Sequence, residues 1–304
     1  MSGPEDWADG WECASMFIVI GLVVVFVCVF GGFVLAGGKF DIIIHALPYE
    51  MLIIMGGAIG AFVMANSIKV IKGSLGGILH AAKGSKWKSQ DYVDVLSLLY
   101  ILMKTMRTKG VVAVEGHIEN PEESKIFQHF ESVSKDHHVI EFICDYLRMM
   151  TMNFEDPHQV EDVMDKDIEK HHAEEHEPQH ALQTMADALP AIGIVAAVLG
   201  VIKTMGKITA PTEVLGASVG GALVGTFLGI LLSYMMVGPI AARFAQVLEE
   251  EGHFLAVVKS VIIAHLHGNP PQISVEIGRR NVPSHLQPSF LELEEALGEI
   301  PPDL

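Results

Sequence analysis

Four stretches of this chain are apolar and free of charge, and its polar positions fall between and after them. Met16–Leu35 reads MFIVIGLVVVFVCVFGGFVL, close to the roughly 20 residues a helix needs to cross a hydrocarbon core. Residues 51–68 (MLIIMGGAIGAFVMANSI) form a second uncharged run, and 188–202 (ALPAIGIVAAVLGVI) and 214–242 (VLGASVGGALVGTFLGILLSYMMVGPIAA) lie nearer the other end. The third run alone is short enough for a buried helix of a soluble protein. Extended to 184–208 it reaches spanning length, because lysines at 203 and 207 can snorkel. The pattern therefore predicts an all-α membrane protein with four transmembrane helices, at 16–38, 51–68, 184–208 and 214–242. It places external loops at 39–50 and 209–213, a large helical domain at 69–183 between spans two and three, and a helix and tail at 243–304.

Basic residues close to the spans set the orientation. Lys69, Lys72, Lys83, Lys86 and Lys88 follow the second run and Arg243 follows the fourth, so the middle domain and the C-terminal tail are expected in the cytoplasm. With four spans the N-terminus is expected there too, although residues 1–15 are acidic and carry no lysine or arginine. A cleaved signal peptide is the other reading of the first run, but it has an acidic leader and no A-x-A-like site after it. Within the middle domain, Val95, Leu99, Leu102 and Met106 repeat at helical spacing over 91–109, with Gly110 as a stop. Asn120-Pro121 and Asp156-Pro157 each read as a cap followed by a proline in the first turn. No hairpin dipeptide flanked by alternating apolar residues calls for strands.

Composition narrows the function. A mean hydropathy of +0.38 with 50% hydrophobic and 19% charged residues fits a membrane protein. A formal charge of −17 argues against nucleic-acid binding, which needs a basic surface. Three scattered cysteines (Cys13, Cys28, Cys144) exclude a disulfide framework or a CxxC site. No nucleophile elbow, P-loop or HExxH is present, so catalysis has no candidate residues. His172, His176 and His180 would share a helix face as zinc ligands, but Pro178 is expected to break that helix, and a solvated polar linker is the plainer reading.

The third and fourth apolar runs contain no Asp, Glu, Lys, Arg or His, so a partner is expected to supply the titratable carrier if ions pass. The spans do offer Gly216, Gly220, Gly221, Gly225 and Gly229, a spacing that lets membrane helices approach closely. Generic packing explains these glycines. Pro190 and Pro239 interrupt the backbone ladder and Thr226 adds a hydroxyl, and together they point to a pore lining.

LPAIGIVAAVLGVI, VGTFLGILLSYMMVGPIA, GHIENPEESKIF and PPQISVEIGRR followed by PSFLELEE closely resemble the MotA family, the A subunits of bacterial flagellar stators within the MotA/TolQ/ExbB group of proton channels. The resemblance runs from Met16 to about Leu297 and leaves 1–15 without an assigned role. It implies an inner-membrane homopentamer around two copies of MotB, whose transmembrane helix carries the ion-binding aspartate, with cytoplasmic helices that push the rotor protein FliG. By matching position, Arg107 and Glu115 are expected to meet the rotor, and Pro190, Ala197, Thr226 and Pro239 to lie at the ion path. Ala196 and Ala197 stand where sodium-driven relatives carry a threonine, so the resemblance implies H+ as the ion and no cofactor. Two other readings compete: an ExbB/TolQ-type energiser, disfavoured by four spans and PSFLELEE, and a membrane scaffold without transport.

Overall fold

In the computed structural model, residues 10–301 are described, with their side chains from Met16 onward. Among these residues every regular element is a helix, and four helices are long and apolar enough to cross a membrane. In chain order the α-helices are α1 (Gly10–Leu35), α2 (Asp41–Ala65), α3 (Ile68–Lys83), α4 (Ser89–Lys109), α5 (Glu115–Glu119), α6 (Lys125–His129), α7 (Glu131–Ser134), α8 (His137–Thr151), α9 (Pro157–Met205), α10 (Thr212–Leu232), α11 (Gly238–Leu266), α12 (Pro271–Asn281) and α13 (Phe290–Glu299). Of the acidic extension, residues 1–9 lie outside the described ones, and from Gly10 the backbone already belongs to α1. The chain divides into two compact units. The first comprises residues up to Gly84 with Glu175–Leu248, and the second comprises Ser85–Glu174 with residues from Glu249.

The first unit holds the spans. Its apolar centre joins Ile54 and Ala58 of α2, Leu189 and Ala196 of α9, and Val224 and Leu228 of α10. Phe30 of α1 meets Phe227 edge-on at 6.0 Å, yet most of α1 leaves its apolar side chains exposed, as a lipid-facing helix can. Three boundaries differ from the sequence reading. Helix α2 begins at Asp41, so most of the loop expected at 39–50 is helix, with Pro48 inside it. A backbone within the hydrocarbon must satisfy itself, and one missing N–H costs less there than an exposed loop. The second span ends at Ala65, after which Ser67 caps a separate helix α3 by accepting from the Val70 N–H at 3.4 Å.

The third difference concerns Pro178. Helix α9 runs unbroken for 49 residues through both Pro178 and Pro190, so the expected polar linker at 171–180 is helix instead. Gly73 of α3 supplies the room: a Cβ there would lie 2.7 Å from Pro178 Cγ. The Pro178 carbonyl also accepts from Ser74 Oγ at 3.0 Å, and buried Gln179 donates to the Ala241 carbonyl at 3.3 Å.

In the second unit α4 is buried on nearly every side, and Gly110 ends it with φ +90°. Trp87 stacks on Phe254 at 3.8 Å, and Gly278 of α12 admits Val261 and Leu96 against its backbone. Asp156 Oδ1 accepts from the Gln159 N–H at 2.9 Å at the start of α9, whereas Asn120-Pro121 opens only one tight turn (Pro121–Glu123) before α6. The tail motifs are structural here. Buried Arg279 bonds Glu276 and, at 2.9 Å, the Pro288 carbonyl, while Ser289 and Glu292 form a reciprocal cap on α13.

Candidate functional site

Small residues on α9 and α10 bring the two backbones into contact. A Cβ on Gly193 would lie 2.8 Å from the Gly225 carbonyl and 3.0 Å from Gly229 Cα, closer than real side chains come. A Cβ on Gly229 would meet the Leu189 carbonyl at 2.8 Å, and one on Gly200 would meet Ala222. On its other side α10 turns Gly220 toward Ile42 and Gly221 toward Ala46 of α2. These glycines are thus used by helices of the same chain, while Gly216 has open space around it.

Ala197 and Thr226, 29 residues apart in the sequence, come to one level of this contact. The Ala197 nitrogen would lie 3.1 Å from a Cβ on Gly225, the residue before Thr226, and both Ala197 and Thr226 are half-buried. Pro190 follows Leu189, whose carbonyl abuts Gly229. Pro239 stands apart from these three and is exposed, lining a groove of about 600 Å³ with Phe17, Leu22 and Tyr234. It follows a π-helical turn, Ser233–Val237, in which the Gly238 N–H donates to the Ser233 carbonyl. Such a turn re-phases a helix next to a proline that lacks its own donor.

Sequence reasoning missed one residue. Glu50, assigned to an external loop, lies within α2 and is 8% exposed. Its Oε2 is enclosed, accepts no hydrogen bond among the described residues, and would sit 2.6 Å from a Cβ on Gly225. The signal was a single carboxylate flanked on both sides by apolar residues, IIIHALPYEMLIIM.

In the second unit Arg107 occupies the last turn of α4 and Glu115 the first turn of α5, joined through Gly110 and a tight turn anchored by buried Val114. Both charges are exposed, and among the described residues neither makes an ion pair. Nearby Glu119 differs: its Oε1 accepts from Arg148 Nε at 2.7 Å. His117 Nδ1 lies 2.8 Å from Ser124 Oγ, so the GHIENPEESKIF segment closes on itself beneath this surface.

Two family models match the chain, motility protein A N-terminal over residues 19–110 and the MotA/TolQ/ExbB proton channel family over residues 134–255. Motility protein A of Escherichia coli (strain K12) is 40% identical over 280 residues, 92% of this chain and 94% of that protein. Chemotaxis protein LafT of Vibrio parahaemolyticus is 35% identical, over 92% of this chain and 98% of its own. The fold is also that of a chain in the C. jejuni MotAB structure, with TM-score 0.68 and 18% identity over 88% of this chain and 96% of that one. The flagellar MotAB stator complex from Bacillus subtilis aligns with TM-score 0.63 and 22% identity, over 91% and 98% of the two chains.

Proposed function

Because this chain belongs to the MotA/TolQ/ExbB proton channel family, as a motility protein A, we infer that it is the channel-forming A subunit of a flagellar stator whose ion is the proton. It is a multi-pass protein of the bacterial inner membrane, with the helical domain between its second and third spans in the cytoplasm, and it is a channel component rather than an enzyme. It works in an oligomeric assembly with a MotB-type partner. In our reading five copies surround two partner chains, whose membrane helix contributes the ion-binding aspartate.

The observation that carries this reading is the α9–α10 contact. Its apposed backbones make a narrow, rigid wall, and neither helix puts an ionisable side chain into it between 188 and 202 or between 214 and 232. A carboxylate brought alongside by a partner would be the favoured stop for a cation, with Ala197 and Thr226 beside it and Pro190 and Pro239 toward the cytoplasmic end. Alanines at 196 and 197 offer no ligating oxygen of their own side chains, which suits a proton better than Na+, an ion that needs several oxygen ligands. Arg107 and Glu115 form the charged surface that engages FliG.

The test is proton flux in cells that express the chain with its MotB-type partner. Inward flux that requires both chains and persists without Na+ is expected. Absence of flux from an assembled complex would leave a scaffold, and motility that stops on sodium withdrawal at constant proton-motive force would overturn the choice of ion.

A further inference from the structure

Glu50 is the one carboxylate that this chain buries inside a span, among the described residues. It lies nine residues past the first residue of α2, about 13 Å along the helix at 1.5 Å per residue, so it sits well below the external end. Its Oε2 points into the notch left by the missing side chain of Gly225, where Ala196 also closes to 3.0 Å of a would-be Cβ. A buried carboxylate with no hydrogen-bond donor is costly, and more so in lipid, and close packing alone would be served as well by an apolar residue.

The same residue opens on its other side to a cavity of about 360 Å³ whose lining is polar for a membrane segment. Asp41, His45, Lys203, Lys207 and Ser218 line it toward the external end, and Lys203 Nζ lies 5.8 Å from the centre of the Tyr49 ring. Glu50 therefore stands between a polar vestibule and the helix contact that holds Ala197 and Thr226.

We propose that Glu50 is a proton relay within the A subunit, loading from the external vestibule and unloading toward the carboxylate of the partner helix. This rests on the proton-channel reading above. Hydronium in the vestibule gives its proton to the Glu50 carboxylate and leaves as water. The resulting carboxylic acid then releases that proton, through water, to the partner's carboxylate, and Glu50 returns to its anionic form. No electron moves and no bond other than O–H is made or broken.

The experiment uses the full complex in proteoliposomes with an imposed pH gradient. Glu50→Gln keeps the shape and removes titration, so flux is expected to fall at least about a hundredfold, the low side of what a positioned proton-transfer group contributes. Glu50→Asp, which keeps a carboxyl, is expected to retain a substantial part of the flux, and size-exclusion profiles should match those of the unmodified complex. Wild-type flux in Glu50→Gln overturns the relay and leaves the channel reading intact, whereas a silent unmodified complex refutes the channel reading itself. Should Glu50→Gln fail to assemble, infrared difference spectra of the unmodified complex decide. A protonated-carboxyl band that grows as the external side is acidified and moves in Glu50→Asp supports the relay, and its absence from neutral to acid pH overturns it.

Discussion

Substitution of Gly229 by alanine puts the helix contact to its strictest test. The new methyl carbon would lie 2.8 Å from the Leu189 carbonyl oxygen, 2.9 Å from Gly193 Cα and 3.2 Å from Gly193 N, and all three are backbone atoms that cannot rotate away. Ordinary contact begins near 3.4 Å, so α9 and α10 must separate by about half an ångström, enough to forfeit roughly a quarter of each dispersion contact along the seam. Overpacking of this kind costs about 1–3 kcal/mol, and replacing a mid-helix glycine returns about 0.5–1 kcal/mol, leaving a net loss of up to about 2.5 kcal/mol. Gly216→Ala is the matched control, because nothing lies within 4 Å of its new methyl and it keeps the helix-forming gain alone. The assay is the unfolding midpoint of the purified complex in one detergent, read for both variants beside the unmodified chain. Gly229→Ala should melt below it and Gly216→Ala at or above it. Equal midpoints for the two variants would mean that the close α9–α10 approach is not what the glycines provide.

Reversing Arg107 to Glu should impair torque while expression and assembly stay intact, since an exposed charge contributes less than about 0.5 kcal/mol to stability. A compensating reversal on the rotor should restore part of it, with the effect weakening in salt, and unchanged torque per stator in bead assays would remove Arg107 from the rotor surface. In the second unit burial pushes the Asp136 carboxyl up, but the Lys86 ammonium at 2.6 Å and the N–H groups of Val139 and His138 outweigh it and hold the group below the usual aspartate range. The folded chain thus favours ionised Asp136, a contribution present above the ordinary value near pH 4 and lost as pH falls through the lowered one. Asp136→Asn keeps a capping oxygen but loses the ion pair, so it should be less stable at neutral pH by about 0.5 kcal/mol, and the gap should close on acidification in denaturant titrations. A gap that widened toward acid pH would contradict this assignment.

The spans were legible because lipid imposes a length and a composition that few other contexts require, and the end of α4 was legible because Gly110 takes a positive φ, +90°, that residues with a side chain rarely adopt. Pro178 misled for a physical reason. A local rule sees the lost N–H and the clash of the ring, whereas the room for that ring comes from Gly73, about a hundred residues away. The glycine spacing announced a close approach without saying which helix approached, and Ala197 is brought to the level of Gly225 and Thr226 only through that contact. Glu50 fell from view for the opposite reason. A rule that finds spans by looking for uninterrupted apolar runs must end a run at each ionisable residue, so it moves a membrane-buried carboxylate into the nearest loop. The backbone follows a different constraint, self-satisfaction of its hydrogen bonds in lipid, and carries α2 across the interruption from Asp41. Where hydropathy says loop and helix continuity says span, the interrupting residue is itself the candidate for chemistry, because a charge left inside a membrane helix has a cost that close packing alone does not offset.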